Sequence, residues 1–259
     1  MASRMGFEGI ELHFGDVSEI DWDELDGLLV THQLKLTSIG TGRIFTIGRR
    51  SLSDSDEDSR RTAITKLFGM IDKVSKYRAI IIIGTVKGKL GPRGSKERQE
   101  AYGRLVASLK EVSAYAQGKS CRVVVEGINR LESDNINSTL ELLQLIDDVS
   151  SPNLCAHLDT YHMFMEGEDI EVSVKMAAER IGHIHFADTD RKAPGQGKID
   201  FRAVFKALND AGYRGVIAFE YIPIEAGTQN SVELPAYEQE KYSKLGLDHL
   251  RSCWKTIQD

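Results

Sequence analysis

The sequence predicts an α/β protein with a TIM-type (β/α) barrel, and three observations carry the prediction. Seven short apolar, β-branched runs recur along the 259 residues, at 9–14, 34–40, 79–85, 122–128, 154–160, 183–189 and 215–221. Several, such as AIIIIGT (79–85) and RVVVEGI (122–128), are apolar almost throughout, as parallel strands are when both faces of their sheet are covered. Amphipathic segments of helical period separate the runs without any break in composition, so residues 1–259 read as a single domain.

The helical segments carry their own punctuation. Residues 55–77 open in acidic side chains and close in basic ones, which complements a helix dipole. Residues 96–119 end near Gly118, and 137–150 open with Asn137, Ser138 and Thr139 and precede Pro152. Residues 201–213 stop near Gly212, while Trp22 and Trp254 fall in further helical patterns and read as packing. A closed barrel of this type has eight strand–helix units. Here the pattern supplies seven units and lacks a first strand and most of a first helix. The first and last strands would then keep an unpaired edge. An incomplete barrel, a covering partner or a late start at an internal Met would each explain it, and such an edge is a physical reason to expect a homo-oligomer.

Composition narrows the function. A net charge of −6 argues against a nucleic-acid or membrane-surface role, because contact with phosphate needs a basic face. No apolar run approaches the roughly 20 residues of a membrane span, and MASRMGFEGI has no signal-peptide core. Cys121, Cys155 and Cys253 are an odd set without zinc spacing, which suits reduced thiols, with Cys155 filling a strand. A cytoplasmic globular protein is expected.

Chemistry is expected where barrels keep it, at the C-terminal ends of the strands. Glu126 ends VVVE, Asp159 ends CAHLD, His185 lies in HIHF and Glu220 ends IAFE. Each is about one strand–helix unit from the next, so all four converge on one rim. Alone, any of the three carboxylates reads equally well as a helix cap or a loop ion pair, and the histidine as a core residue. Together, three crowded carboxylates repel unless a cation neutralises them. With one imidazole they form an oxygen-rich site for one divalent ion, Mn²⁺ first, with Mg²⁺ or Co²⁺ as alternatives.

The segments EGINRLE (126–132), LDTYHM (158–163), HFADTDRKAPGQGKID (185–200) and AFEY (218–221) resemble the xylose isomerase-like TIM-barrel superfamily. Within it they are most similar to the ketose 3-epimerases, the group of D-tagatose and D-psicose 3-epimerases and related keto-sugar-acid epimerases. The likeness spans residues 6–225. It implies Glu126, Asp159, His185 and Glu220 as metal ligands, Glu126 and Glu220 as the acid/base pair, and Glu132, His162 and Arg191 as substrate-binding residues. The implied reaction inverts a keto sugar or keto-sugar acid through an enediolate at C2–C3, its charge held by the cation. Two carboxylates on opposite faces of the carbon permit deprotonation from one side and reprotonation from the other.

Residues around this set have bracing or second-layer readings. Arg191 offers a rigid fork to a substrate oxygen, and His162 is expected to be oriented by Glu132. Asn129 and Arg130 brace their loop, and His183 packs one layer below His185. His13 or Phe14 is expected at the pocket wall. The loop 85–96 carries Lys87, Lys89, Arg93 and Lys96 on the active rim, either as a solvated loop or as an attractor of anionic substrates, with Lys87 and Arg93 as anion contacts. GTGRIFTIGRR (40–50) lacks a phosphate-loop spacing.

Three kinds of rival remain on the sequence. Hydroxypyruvate isomerase and inosose dehydratase share the scaffold. An endonuclease IV-type DNA-repair enzyme needs extra histidine ligands on early strands, whereas the third run ends Ile83-Gly84-Thr85. A catalytically silent sugar-binding or assembly protein is the third.

Overall fold

The structure, a computed structural model, describes residues 1–222 and 234–258, and a strand falls on each of the seven apolar runs. In chain order these are β1 (Gly9–His13), β2 (Lys35–Gly40), β3 (Ile80–Ile83), β4 (Val123–Glu126), β5 (Leu154–Asp159), β6 (Ile181–Phe186) and β7 (Ile217–Phe219). They pair in sequence order, every neighbour parallel, so all seven C-terminal ends share one rim. Strand β6 starts at Ile181, two residues before its run in the sequence, because Gly182 fits against the Cβ of Cys155 where a side chain would collide.

Among the described residues no strand joins β1 to β7, and the barrel stays open there. A groove of about 1120 Å³ runs along this seam, lined by Ile10 and Glu11 on one side and by Ile217 and Phe219 on the other. Phe7 meets Phe219 edge to face at the seam, their ring centroids 5.3 Å apart.

Ten helices accompany the strands among the described residues: α1 (Ala2–Met5), α2 (Trp22–His32), α3 (Arg43–Thr46), α4 (Glu57–Val74), α5 (Lys96–Gly118), α6 (Thr139–Val149), α7 (Thr160–Met165), α8 (Ile170–Ala177), α9 (Phe201–Asp210) and α10 (Ala236–Gln258). Short polar side chains start the long ones: Asp56, Ser95 and Ser138 each accept the backbone N–H three residues on. Helix α5 runs through Gly118 and is capped by Lys119, one residue beyond the expected stop. Helices α7 and α8 are too short for a helical period to stand out in the sequence. No described helix is long and apolar enough to cross a membrane.

Side-chain alternation along the strands builds two different environments. One face, with Ile81, Ile83, Val123, Val125, Leu158 and Ile184, packs with Leu67, Met70, Leu105 and Leu145 of the helices in the main core. Each such buried aliphatic side chain contributes about 1.5–3 kcal/mol relative to exposure. Phe186 belongs to this layer and meets the rings of Phe201 and Phe205 of α9. The opposite face of β5 and β6 carries His157, Asp159, His183 and His185 into the barrel interior, where all four are buried. Cys121 and Cys253 are buried free thiols, and Cys155 is a half-buried one. Phe14 is packed against Trp22 in the core and does not line the rim.

Candidate active site

The interior face of the rim gathers the predicted cluster. Glu126 is the last residue of β4, Asp159 of β5, His185 the fifth of β6, and Glu220 the first beyond β7. Register aligns them: Asp159 pairs with His185 and His185 with Ala218, two residues short of Glu220. Ligand atoms of Glu126, Asp159, His162 and Glu220 lie within 4.8 Å of one another. His185 joins the same group, its Nδ1 3.7 Å from Asp159 Oδ2 and 3.5 Å from Glu220 Oε2. Gly84, at the end of β3, leaves room for this crowding, since a Cβ there would stand 2.8 Å from Glu126 Oε2.

The two oxygens of Asp159 are used differently. Oδ1 caps α7 by accepting the backbone N–H groups of Tyr161 (2.7 Å) and His162 (3.0 Å). Oδ2 is buried and has no hydrogen-bond partner among the described residues, and the same holds for Nδ1 of His185. Unpaired buried polar atoms are expensive. Two of them, aimed among three carboxylates, are what a divalent ion would satisfy, and the donor set is oxygen-rich with one imidazole. The residues therefore fit a divalent cation.

The electrostatics are those of a site with excess negative charge. Burial and the nearby charge of Glu220 push Glu126 well above the usual carboxylate range. Burial also works against ionised Glu220, but the positive charge of His185 and of Arg191 outweighs it and holds that carboxylate low. One glutamate thus favours its acid form and the other its base form, the split expected of an acid/base pair. His162 is kept neutral down to about 3, first by burial and then by the charge of Arg191.

Arg191 stands where these groups meet. Nη2 is 3.2 Å from Glu220 Oε2 and 3.2 Å from His162 Nε2, and Nη1 is 3.3 Å from Glu132 Oε2. Its guanidinium also lies over the ring of Tyr161, 5.0 Å from the centroid. Asp190 and Arg191 both adopt left-handed backbone conformations, φ 59° and 52°. Asp188 holds this loop from below, its carboxylate accepting the N–H groups of Thr189, Gly195, Gly197 and Ile199 at 2.8–3.1 Å. Gly197 is required there, since a Cβ would come within 2.3 Å of Asp188 Oδ1.

Three placements differ from the sequence expectation. Glu132 does not orient His162 directly, its Oε1 standing 4.0 Å from the ring; Asn129 bridges them, with Nδ2 2.8 Å from His162 Nδ1 and 3.0 Å from Glu132 Oε1. Asn129 is therefore part of the site's frame, while Arg130 braces the loop from outside by pairing with Glu166. Lys87 is fully buried, not solvated, and its ammonium donates to the backbone carbonyls of Gly84 (2.8 Å) and Glu126 (2.7 Å). Arg93 is exposed and paired with Glu141 at 2.6 Å. The anion contact assigned to Lys87 and Arg93 is thereby corrected: one cation is spent inside the protein and the other on α6.

This placement has a measurable consequence. Replacing Lys87 by Met removes the ammonium's bond to the buried carbonyl of Glu126, while Gly84 keeps the backbone N–H of residue 87, a loss of about 1–3 kcal/mol. The melting temperature should fall on the order of 5 °C, with no change in KM specific to acidic sugars. A KM rise confined to acidic sugars would return Lys87 to the substrate.

One further residue gave no signal in the rim pattern. Glu11 of β1 lies in the barrel interior with its carboxylate beside His13, His183 and His185. The clue was available: a carboxylate inside an apolar strand needs partners.

A parallel barrel with a cation-competent cluster on its C-terminal rim has the layout of metal-dependent barrel enzymes. The chain belongs to the xylose isomerase-like TIM-barrel family, whose family model matches residues 1–253. It is similar to the L-ribulose 3-epimerase of Methylomonas sp. (strain DH-1), at 30% identity over 85% of this chain and 75% of that protein. It is also similar to the D-psicose 3-epimerase of Ruminiclostridium cellulolyticum, at 28% identity over 77% of this chain and 71% of that protein. The crystal structure of D-psicose 3-epimerase with D-tagatose from Clostridium cellulolyticum H10 shares the fold. It superposes with a TM-score of 0.85 over 97% of this chain and 91% of that one, at 23% identity.

Proposed function

We propose that the protein is a divalent-metal-dependent epimerase of a keto sugar, acting at C3 with Glu126 and Glu220 as the proton-transfer pair. The observation that carries the reading is the facing of these two glutamates, from β4 and β7, across a group that also holds Asp159 and His185. Relatives that are L-ribulose and D-psicose 3-epimerases support the same chemistry.

Glu126, Asp159, His185 and Glu220 would hold the ion, Mn²⁺ by the oxygen-rich character of the set. His185 suits the imidazole position better than His162. Arg191 can only donate, so the lone pair of His162 Nε2 is committed to it, whereas Nδ1 of His185 has no partner among the described residues. When bound, the cation supplies Lewis acidity toward the sugar's carbonyl and neighbouring hydroxyl and offsets the charge left by proton loss.

The chain's own groups supply the rest. One glutamate takes the proton from C3, the other returns one to the opposite face, and the roles exchange in the reverse direction. Arg191 keeps Glu220 ionised between turnovers and presents guanidinium donors to a substrate oxygen. Neutral His162, framed by Asn129, holds the Arg191 guanidinium in place through Nε2.

The test is a panel of ketoses, including D-psicose, L-ribulose and D-tagatose, and of keto-sugar acids, each incubated with Mn²⁺ or with a chelator. C3 epimers should form with Mn²⁺ only. No conversion of any sugar by metal-loaded protein would sink the reading.

A further inference from the structure

Glu11 is surrounded by groups that can only serve it as donors. Its Oε2 accepts from Ser38 Oγ and from His183 Nε2 (3.0 Å), and its Oε1 accepts from His13 Nε2 (2.9 Å). Nε2 of His185 stands 3.0 Å from the same Oε1, off the line of a well-directed hydrogen bond. Among the described residues no lysine or arginine pairs with Glu11, whose side chain is 10% exposed. Burying a carboxylate this far is costly, so its placement among three imidazoles calls for a role.

An ionised carboxylate only accepts hydrogen bonds. Each imidazole nitrogen turned toward it therefore carries its hydrogen, which for His185 assigns the hydrogen to Nε2. In the neutral ring that a metal ion would bind, the lone pair is then on Nδ1, the atom 3.7 Å from Asp159 Oδ2 and 3.5 Å from Glu220 Oε2. His157 fixes the ring plane from the side, edge-on to His185 at 84° with centroids 4.1 Å apart.

We propose that Glu11 is the positioning residue of the metal centre: it holds His185 as the Nε2–H tautomer and so aims the Nδ1 lone pair into the carboxylate cluster. The inference rests on the metal-centre reading of the proposed function. Carboxylates that hold the distal nitrogen of a ligating histidine typically govern metal affinity by 10–100-fold. In Glu11→Gln, the amide can present either a donor or an acceptor to Nε2, so the tautomer is released without loss of side-chain volume.

The measurement is Mn²⁺ affinity, read from free Mn²⁺ by electron paramagnetic resonance, for wild type and Glu11→Gln. A rise in Kd of about 10–100-fold in a folded variant is expected. An unchanged Kd overturns the positioning role and leaves the metal centre standing. A wild type that binds no divalent ion removes the metal centre and this role together. A second measurement needs no variant: nitrogen NMR of histidine-labelled wild type loaded with diamagnetic Zn²⁺. It should show His185 Nε2 protonated and Nδ1 metal-shifted, and a protonated Nδ1 would overturn the inference even if Glu11→Gln did not fold.

Discussion

Replacing Glu126 or Glu220 by Gln is expected to lower turnover by about 10²–10⁴-fold on any ketose the protein accepts, the range for a lost general acid or base. Gln keeps the shape of the side chain but cannot accept and return a proton. Folding should survive in both variants. For Glu126→Gln the metal-free protein should even gain stability, because burial and Glu220 already disfavour its charge. Glu220→Gln differs, since Arg191 loses a carboxylate partner at 3.2 Å. That variant should raise KM as well as lower kcat. Steady-state kinetics on both variants, with thermal melts to confirm folding, checks the pair. Full activity in either would remove the two-glutamate mechanism.

Saturating Mn²⁺ is expected to raise the melting temperature by about 5–10 °C at an ion concentration near a hundred times Kd, from a mass-action gain of about 2.7 kcal/mol. The effect should depend on pH with a definite sign. Glu126 has its folded-state pKa raised to about 8 from the ordinary glutamate value of 4.5, chiefly by burial and then by Glu220. Its folded form therefore holds a proton that the unfolded form has released. Stability from this group is present below about 4.5 and is lost as pH rises toward 8. His157, His162 and His183, whose pKa values burial lowers, push the other way only below about 6.5. Between roughly pH 6.5 and 8 the metal-free protein should thus lose stability as pH rises, and Mn²⁺ should flatten the slope. Melting curves across that window read both effects, and a pH-independent apo stability would contradict the crowded-carboxylate account.

Much of this was legible because barrel geometry converts sequence spacing into position. Glu126, Asp159, His185 and Glu220 recur at one unit apart, and a parallel barrel turns that repeat into a shared rim. The strands were visible for a related reason: Ile80–Ile83 and Val123–Val125 are apolar on both sides, which only a covered sheet requires. What the repeat could not encode were contacts across the barrel or through backbone. Lys87 looked solvated because its neighbours are glycine and lysine, yet its partners are two carbonyls, and carbonyls leave no trace in sequence. Asn129 looked like a loop brace because its link to His162 crosses from the β4 loop to α7. Glu11 was hidden by distance, two of its three imidazoles lying more than 150 residues away on β6. Helix α8, eight residues long, was too brief for its period to be read.

The central claim is that a proton leaves C3 of a ketose and a different one returns to the opposite face. Turnover of a ketose substrate in D₂O with Mn²⁺ tests it most directly. Exchange of the abstracted proton with solvent at the two glutamates predicts deuterium at C3 of the epimer and at no other carbon, and none in Glu126→Gln or Glu220→Gln. Epimer formed without deuterium at C3, or label placed at C1, would contradict the account.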